Sequence, residues 1–459
     1  MRIRLASGVF RGSLALLVVS ALALGLAFAA CSDGPKNPLV KDDCTADREC
    51  AGTATPYCLV DDGVCVGCLN DSQCSGATPV CAAATHTCEA CTADTQCASG
   101  VCLAALGTCA APAQLLYVKE DGGVDNGECD EKAPCATINY AKNRTTADRN
   151  VIRVIGGLTQ SAELQSKIYL DGDGSVWTSD TAPIVSVSTA AADVTIEGFS
   201  IEGKGGAFVN PAVECLQTGS LHLHQSNVKF GQPAIFSVCK LNITSSKITN
   251  NRSAIMCSNS GAVAVADSEI SAEGLTLIET DTCEVKLERN RISGNPGPRF
   301  AVDIKSPGKV QIENNLLWDS LARTSSGISV TNGPTGGVIR FNTIVNTAGG
   351  VHTGDGVVCD GTTVVSSNVI AWQGGSALAG NPCARRYNAF DSATPVGAGE
   401  GNTAAALSAL FVDPAADFHL ASGSPAIGLA DPADKIDVDL EGKSRPATGR
   451  LDAGAFETP

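Results

Sequence analysis

The chain of 459 residues has few aromatic side chains and a shortage of cations. Aromatic residues make up only 4% of the sequence, so a hydrophobic core must come from many stacked Val, Ile, Leu and Ala side chains rather than from a few large ones. Lys and Arg number 32 against 48 Asp and Glu, which gives a formal net charge of −16. This excess of negative charge argues against nucleic acid or an anionic membrane surface as a partner.

Long stretches with the 3.6-residue period of helices are also missing from the middle of the chain. What recurs there is an eight-residue pattern: two apolar residues two apart, a polar corner residue, and another apolar residue. Such alternation predicts strands with one buried face. A pattern that returns at a nearly constant interval of about 25 residues predicts a solenoid, in which each repeat forms one coil. The corner residues are Ser226, Ser246 and Ser268, followed by Asn290, Asn315, Asn342 and Asn368 at steps of 25, 27 and 26 residues.

Asparagine suits such a corner for two physical reasons. It tolerates the left-handed backbone region, and its amide can bond to an equivalent amide one layer away. We therefore predict an all-β parallel β-helix over residues 115–400, in which the corner residues form one structural ladder.

A second column of short alternating runs supports at least two strands in each coil. The residues of these runs that are expected to face outward include no cluster of carboxylates. The runs are residues 213–215, 235–237, 255–257, 275–277, 302–304, 328–330 and 357–359, and the outward residues are Glu214, Phe236, Met256, Thr276, Asp303, Ser329 and Val358.

The start of the chain predicts export. Residues 1–30 have a basic beginning and an apolar run that is too short to span a membrane, which is typical of a secretory signal. The sequence Phe28-Ala29-Ala30-Cys31 resembles the lipobox of bacterial lipoproteins, which implies lipidation of Cys31 and a tether over residues 31–43. Ordinary cleavage before Cys31 is the alternative, and it would leave an odd thiol beside 20 cysteines that can all pair.

Twelve cysteines between Cys44 and Cys109 form three sets of four with the same spacing, so residues 44–110 are predicted to be three disulfide-bonded repeats. Zinc is the competing interpretation, because Cys65-x-x-Cys68 and Cys88-x-x-Cys91 have a spacing close to that of zinc ligands. Those pairs are only the seams between repeats, which favours disulfides. The module resembles the Dickkopf-like cysteine-rich repeats of bacterial surface proteins, which implies a spacer or interaction role.

Both ends of the predicted solenoid resemble known segments. A Tyr117-Val118 strand, a Gly- and Asp-rich loop and Pro134-Cys135-x-Thr137-Ile138 resemble the start of bacterial right-handed β-helix proteins of the pectate-lyase-like superfamily, in which a short helix covers the open end. Residues 401–459 resemble the choice-of-anchor-type terminal segment of extracytoplasmic β-helix proteins. The motifs of that segment include Phe411-Val412-Asp413-Pro414, Arg445-Pro446 and Asp452-x-Gly454-Ala455-Phe456. We expect it to cap the other end.

The remaining cysteines fit one coil of such a solenoid. Cys129 and Cys135 would close a small loop, and the other pairs lie 24, 26 and 24 residues apart, about one coil each. The predicted disulfides are Cys129–Cys135, Cys215–Cys239, Cys257–Cys283 and Cys359–Cys383.

The resemblance also implies where chemistry would lie. Enzymes of this superfamily work beside one strand column, with calcium held by carboxylates and an Arg or Lys base. The best catalytic candidates here are Asp303, Lys305, His352 and Asp355, with a solvated ion pair and a Gly-rich turn as the alternative. The Asn-Thr-Asp, Asp-Asp, Gly-His-Gly and Arg-Ile-Lys motifs of the superfamily's hydrolases are absent from the sequence.

A metal site is a separate hypothesis. His222 and His224 alternate with leucines and so face outward together, and Glu197 lies about one coil earlier. These three side chains would form a metal site, whereas surface histidines without a metal are the competing interpretation.

Our leading hypothesis is a non-catalytic lipoprotein of the bacterial envelope or cell surface, with simple secretion as the alternative. It is expected to be a monomer that touches the membrane only through its lipid anchor, needs no cofactor, and binds a polysaccharide or a cell-surface protein along the β-helix. The alternative is a polysaccharide lyase or related carbohydrate-active enzyme that would use calcium. A purely structural envelope component is the third hypothesis.

Overall fold

The computed structural model describes residues 44–273, 276–295, 300–318, 326–334, 336–346, 354–373, 375–380, 383–391, 399–447 and 449–458. The predicted signal, the tether, Cys31 and His352 lie outside these residues. The chain divides into two units, Met1–Leu69 and Asn70–Pro459. None of the helices in the described part of the chain has the length and hydropathy needed to cross a membrane.

The described part of the first unit is the first cysteine-rich repeat. A 3₁₀ turn, Asp47–Glu49, precedes a hairpin of the antiparallel strands Tyr57–Leu59 and Val64–Val66. Disulfides join Cys44 to Cys58 and Cys50 to Cys65. The cysteines make up most of the small buried cluster, as expected for a segment too short for an ordinary core.

The second unit starts with the other two repeats, which have the same plan. Each has a 3₁₀ turn, Asp71–Gln73 or Asp94–Gln96, followed by a hairpin. Every described cysteine is disulfide-bonded, so no free thiolate is left among them to ligate zinc. The hairpins are Val80–Ala82 with Thr87–Glu89 and Cys102–Leu103 with Thr108–Cys109, and the disulfides include Cys74–Cys88, Cys91–Cys102 and Cys97–Cys109.

The rest of the second unit is a parallel β-helix, which confirms the predicted fold class. Three parallel sheets run along it, and from Lys167 to Ala379 each coil contributes one strand to sheet 1, then to sheet 2, then to sheet 3. Sheet 1 comprises Leu115–Val118, Val151–Val154, Lys167–Asp171, Asp193–Glu197, Ser220–His224, Lys240–Thr244, Ala262–Ala266, Glu284–Glu288, Val310–Glu313, Val338–Arg340, Val364–Ser366 and Ala384–Arg386. Sheet 2 comprises Val176–Ser179, Ser200–Gly203, Asn227–Lys229, Lys247–Asn251, Glu269–Glu273, Arg291–Asn295, Leu316–Trp318, Thr343–Asn346, Val369–Trp372, Ala389–Asp391 and Thr403–Ala405. Sheet 3 comprises Ala162–Leu164, Val185–Val187, Val213–Cys215, Ile235–Ser237, Ile255–Cys257, Ile278–Asp281, Phe300–Lys305, Ser326–Thr331, Val357–Cys359 and Leu378–Ala379.

Aliphatic side chains stacked in register form the core. In sheet 1, Val194, Leu221, Leu241, Val263 and Val285 occupy one row through five successive coils, each at most 2% exposed. Full burial of such a side chain is worth about 1.5–3 kcal/mol, so the stack supplies the core that the scarce aromatics do not. Disulfides between neighbouring coils join Cys215 to Cys239, Cys257 to Cys283 and Cys359 to Cys383, and Cys129–Cys135 closes the small loop, which are the pairs that the spacing predicts.

The corner between sheet 1 and sheet 2 holds the ladder. The side-chain oxygen of Asn342 accepts the backbone N–H and the amide N–H of Asn315 at 2.9 Å each, and Asn342 donates in the same way to Asn368. Asn388 and Asn402, which the sequence analysis left out, continue the ladder beyond Asn368. Ser226, Ser246 and Ser268 continue it in the other direction through their hydroxyls.

The prediction that the corner asparagine itself adopts the left-handed backbone conformation is wrong. The left-handed residue of each corner is the one before it, such as Arg289 (φ 51°), Asn314 (φ 55°) and Phe341 (φ 56°). This residue points away from the ladder and varies in type, so the corner selects its side chain weakly. Asparagine is required instead for its paired donor and acceptor, which satisfy backbone groups inside the coil.

One strand of sheet 3 lies later than predicted. Ile278–Asp281 forms the strand, because Ile278 rather than the residues at 275–277 aligns with Ile255 of the coil before. Consecutive apolar residues at Leu277 and Ile278 made the alternation ambiguous. The outward residue is therefore Glu279, which aligns with Asp303, and not Thr276.

A short helix, Ile138–Ala141, follows the Cys129–Cys135 loop, with Thr137 accepting the N–H of Tyr140 at its start. Ile138 and Ala141 are fully buried in the main core. The expected helix at the beginning of the solenoid is thus present. Short 3₁₀ turns occur at Pro112–Gln114, Lys142–Arg144 and Lys204–Gly206.

The C-terminal segment packs along the side of the β-helix rather than only over its end. Its helix Leu407–Leu410 and hairpin Phe411–Asp413 with Asp417–Leu420 share an apolar cluster with outward residues of sheet 2, including Val345, Val369 and Ala389. Arg445 is buried between the segment and the coil corners. Its guanidinium bonds Glu457 at 2.5 Å and Asn314 at 3.0 Å and lies over the ring of Phe341. Apolar outward residues on sheet 2 require this cover, so the expectation of an end cap is incomplete.

The ladder predicts a measurable cost for losing one rung. We expect Asn342→Ala to lower the free energy of unfolding by about 2–4 kcal/mol, because Asn342 is fully buried and its loss leaves backbone groups of two coils unpaired. Asn242→Ala is the control, since Asn242 is exposed on sheet 1, and it should change stability by less than about 0.5 kcal/mol. Urea unfolding of both variants measures this, and equal effects would contradict the structural role of the ladder.

Candidate functional site

A groove crosses the outer face of sheet 1. The outward residues of one strand are Ala262, Ala264 and Ala266, which alternate with the buried Val263 and Val265. Because alanine ends at Cβ, this strand forms a floor between longer side chains on both neighbouring strands. The resulting groove has a volume of about 310 Å³.

The walls of this alanine groove are polar. Asn242, Ala264, Lys286 and Gln311 form one row in register, and Lys240, Ala262 and Glu284 form the row beside it. The two walls stand two strands apart, which is about 10 Å. The groove therefore has the width of an extended polymer chain and offers amide and ammonium donors along it.

The groove is locally positive on an acidic protein. Lys240, Lys286 and Lys309 line it with Glu284, although the whole chain carries a net charge of −16. Lys286 bonds Glu288 at 2.7 Å, whereas Lys240 and Lys309 form no ion pair within the described part of the chain. Two ammonium groups are thus available to a ligand.

The structure brings two of the four catalytic candidates together. Lys305 Nζ lies 3.2 Å from Asp303 Oδ2 and 3.0 Å from Glu279 Oε1 on sheet 3. The hydrogen bond to Glu279, together with Asp303, raises the pKa of Lys305 above its ordinary value. Lys305 is therefore held in its protonated form and is a poor general base. Glu279 could not be identified from the sequence, because its strand lies later than the alternation predicts.

The other two catalytic candidates do not join this cluster in the described part of the structure. Asp355 accepts the backbone N–H of Ser376 at 2.8 Å, and its own N–H donates to Ser326. Those bonds hold neighbouring coils together. His352 lies outside the described residues.

The three candidate metal ligands do not converge in the described structure. His222 and His224 do face outward on Ser220–His224, and Glu197 aligns with His224 on the next strand. The carboxylate of Glu197 is already occupied: it accepts N–H groups of Ala104 and Ala105 at 3.1 and 2.9 Å. Among the described residues, the groups of three His, Cys, Asp or Glu whose ligand atoms converge are all cysteines in disulfides.

Burial lowers the pKa of both histidines. His224 Nδ1 lies 2.8 Å from Thr244 Oγ1. The pair is therefore a neutral, hydrogen-bonding part of the sheet 1 face, one strand from the wall of the alanine groove.

The third cysteine-rich repeat covers the beginning of the same face. Arg153 donates to Asp94 of the repeat and to Asp173, both at 2.7 Å, and also to Asp171. Val101 and Leu103 of the repeat pack in an apolar cluster with Leu115, Val151 and Tyr169. The open part of the sheet 1 face therefore starts after Glu197.

Burial raises the pKa of Asp171 to about 6, against the opposing effect of Arg153. Asp94 and Glu197 add to this rise through their negative charges. At this contact between the repeat and sheet 1, the guanidinium of Arg153 forms ion pairs with three carboxylates, those of Asp94, Asp171 and Asp173.

Comparisons with known proteins agree with this architecture. Residues 201–366 match the family described as periplasmic copper-binding protein (NosD). No curated protein matches the chain. Among solved structures, pectate lyase Pel9A is similar at 12% identity and a TM-score of 0.51, covering 75% of this chain and 96% of that chain. The Dettilon tailspike protein (gp208) matches at 11% identity and a TM-score of 0.29, covering 64% of this chain and 68% of that chain.

These similarities agree with the parallel β-helix fold of the described chain. The copper named in the family description needs convergent His, Met or thiolate ligands. In the described part of residues 201–366, His222 and His224 lie on sheet 1, Met256 lies on sheet 3, and the cysteines are in disulfides. This donor set does not fit a copper centre.

The buried carboxylates predict an unusual dependence of stability on pH. An acid whose pKa is raised on folding stabilises the fold while protonated, so the contribution of Asp171 is present below pH 4 and lost as the pH rises through about 6. We expect Asp171→Asn to reduce this decline by about 1 kcal/mol per pH unit between pH 4 and 6.

Urea unfolding at several pH values measures this effect. Asp173→Asn is the matched control, because Asp173 bonds the same arginine but its side chain is 66% exposed. If the free energy of unfolding of both variants falls with rising pH as steeply as that of the native chain, Asp171 does not cause the pH dependence.

Proposed function

We propose that this protein is an exported, surface-anchored, non-catalytic binding protein whose alanine groove takes a glycan chain. The observation that carries the proposal is the groove itself. It has a floor formed by Ala262 and Ala264, polar walls about 10 Å apart, and two ammonium groups that form no ion pair with described residues. A glycan offers hydroxyl and carboxylate oxygens to amide and ammonium donors of this kind.

A polypeptide strand is less suited to this groove. A strand binds an open sheet edge through its backbone, whereas the groove lies on a sheet face, where the backbone groups are already paired between coils. Recognition must then use side chains, and the side chains here are hydrogen-bonding and charged.

The ion pairs on sheet 3 favour binding over catalysis. A lyase needs a base that is free to take a proton, but Lys305 is protonated between Glu279 and Asp303. Similarity to a pectate lyase at 12% identity concerns the fold alone. The enzymatic alternative nevertheless has a direct test, which the same experiment includes.

The decisive experiment incubates the purified chain with a panel of neutral and uronic-acid polysaccharides, with and without calcium. Binding is followed by calorimetry, and reaction by unsaturated products and reducing ends. The proposal expects saturable binding without product. Product release that is abolished by Asp303→Ala or Lys305→Ala would replace it with the lyase.

Filling the groove tests the site. Ala264→Trp should weaken binding of the retained polysaccharide at least tenfold, because the indole occupies the centre of the floor. Val364→Trp places the same side chain on sheet 1 several strands away and should leave binding unchanged. Equal affinities of the two variants would mean that the binding site lies elsewhere on the protein.

The anchor is a separate part of the proposal and rests on Cys31. In a bacterial host, the native chain should sediment with membranes and incorporate labelled fatty acid, and Cys31→Ala should do neither. Two controls accompany it: Cys31→Ser, which also removes the thiol, and release of the native chain by a detergent. A soluble native chain without label would instead support simple secretion.

A further inference from the structure

The hairpin tip of the third repeat binds a carboxylate. The backbone N–H groups of Ala104 and Ala105 donate to the two oxygens of Glu197, and the hydroxyl of Tyr169 adds a third hydrogen bond. Successive N–H groups that point the same way form a concave anion site. The turn therefore works as a carboxylate receptor in this chain.

An aspartate next to the tip provides the second contact. Asp94 accepts the N–H of Cys102 through Oδ1 at 2.8 Å, which fixes it against the hairpin, and accepts from Arg153 through Oδ2 at 2.7 Å. Arg153 and Glu197 lie in one register row with a single strand between them, about 10 Å apart. The repeat thus recognises an arginine and a glutamate at that separation.

The second repeat contains the same two elements. Asp71 stands three residues after its first cysteine, as Asp94 does, and its Oδ1 accepts the N–H of Cys81 at 2.8 Å. The aspartate and the hairpin are therefore joined in the same way in both repeats.

The tip turn is also the same in both repeats. Thr85 and His86 donate to the carbonyl of Ala82, as Leu106 and Gly107 donate to that of Leu103. By this alignment, Ala83 and Ala84 correspond to Ala104 and Ala105.

In the second repeat this surface is open. Ala83 and Ala84 are exposed, and within the described part of the chain their N–H groups have no acceptor. Asp71 is exposed as well, and its Oδ2 has no donor there. The chain therefore carries one occupied and one unoccupied copy of the same receptor.

We propose that the tip of the second repeat, with Asp71, docks a separate protein that presents a carboxylate and an arginine about 10 Å apart on one face. The charge pattern is the one that Glu197 and Arg153 offer to the third repeat. This docking surface is independent of the alanine groove. It makes the module an interaction element as well as a spacer.

The first repeat supplies an internal contrast. Its turn has the same hydrogen bonds, from Asp62 and Gly63 to the carbonyl of Leu59. The tip residues, however, are Val60 and Asp61, so a carboxylate stands where Ala84 and Ala105 stand in the other repeats. Like charges repel, so this tip does not accept a carboxylate.

The test uses the full chain and a labelled, alanine-rich helical peptide with Glu and Arg seven positions apart, a separation of about 10 Å. Fluorescence anisotropy should show saturable binding. Ala84→Asp, which copies the first repeat, should raise the Kd at least tenfold. Ala77→Asp adds the same charge at another exposed position of the second repeat and should not change the Kd.

Four outcomes would overturn the proposal. The peptide shows no saturable binding to the native chain, or Ala84→Asp binds the peptide as well as the native chain does. Binding is lost in Ala105→Asp but not in Ala84→Asp, which would mean that the peptide displaces Glu197 from the third repeat. The fourth outcome is that a peptide with Gln in place of Glu binds as well as the original peptide. Disulfide mapping of each variant shows that the repeats remain folded.

Discussion

Register between coils is the constraint on which this structure depends, and the asparagine ladder enforces it at the corner. There the backbone leaves one sheet and enters the next, so its N–H and C=O groups lose the partners that a ladder of strands provides. Each asparagine restores them, taking an N–H from the coil before and returning its own to a carbonyl of that coil. With the corner fixed, the outward residues of sheet 1 lie directly above their counterparts.

This constraint explains where the coils are free to differ. Four residues separate Asp171 from Val176 in the first corner between sheets 1 and 2, and two residues form each later corner, as at Asp267 and Ser268 or Asn314 and Asn315. In those later coils, differences in coil length fall in the turns on either side of sheet 3. The outward rows depend on the same register: Ala262 and Ala264 produce a groove only because both neighbouring strands hold long side chains beside them.

The parts of the structure that depend on periodicity were predictable, because alternation and the corner residue repeat seven times. The spacing of about one coil also predicts the disulfides between coils. Features that depend on a single local choice could not be predicted from the sequence. Leu277 and Ile278 gave two equally good frames for one strand, so Glu279 went unnoticed beside Lys305.

Contacts between segments that are distant along the chain could also not be predicted from the sequence. Nothing in the alternation around Glu197 shows that a turn 92 residues earlier covers it, so the sequence left open both a metal site and surface histidines without a metal. The C-terminal segment presents a similar case. Apolar outward residues such as Val345 and Val369 need a cover on sheet 2, but the alternation does not show which segment provides it.

The distribution of covered and open surface favours binding on sheet 1. The C-terminal segment covers outward residues of sheet 2, and the third repeat covers the first strands of sheet 1 through Arg153 and Glu197. Between them lie strands of sheet 1 whose outward residues are short or polar and which no described segment covers. An uncovered face with a floor of alanines has little apolar area to bury, so a protein partner would gain little hydrophobic stabilisation there. A hydrated polymer that exchanges hydrogen bonds with Asn242, Lys286 and Gln311 would lose less on binding, which is the reason for proposing a glycan rather than another polypeptide as the ligand.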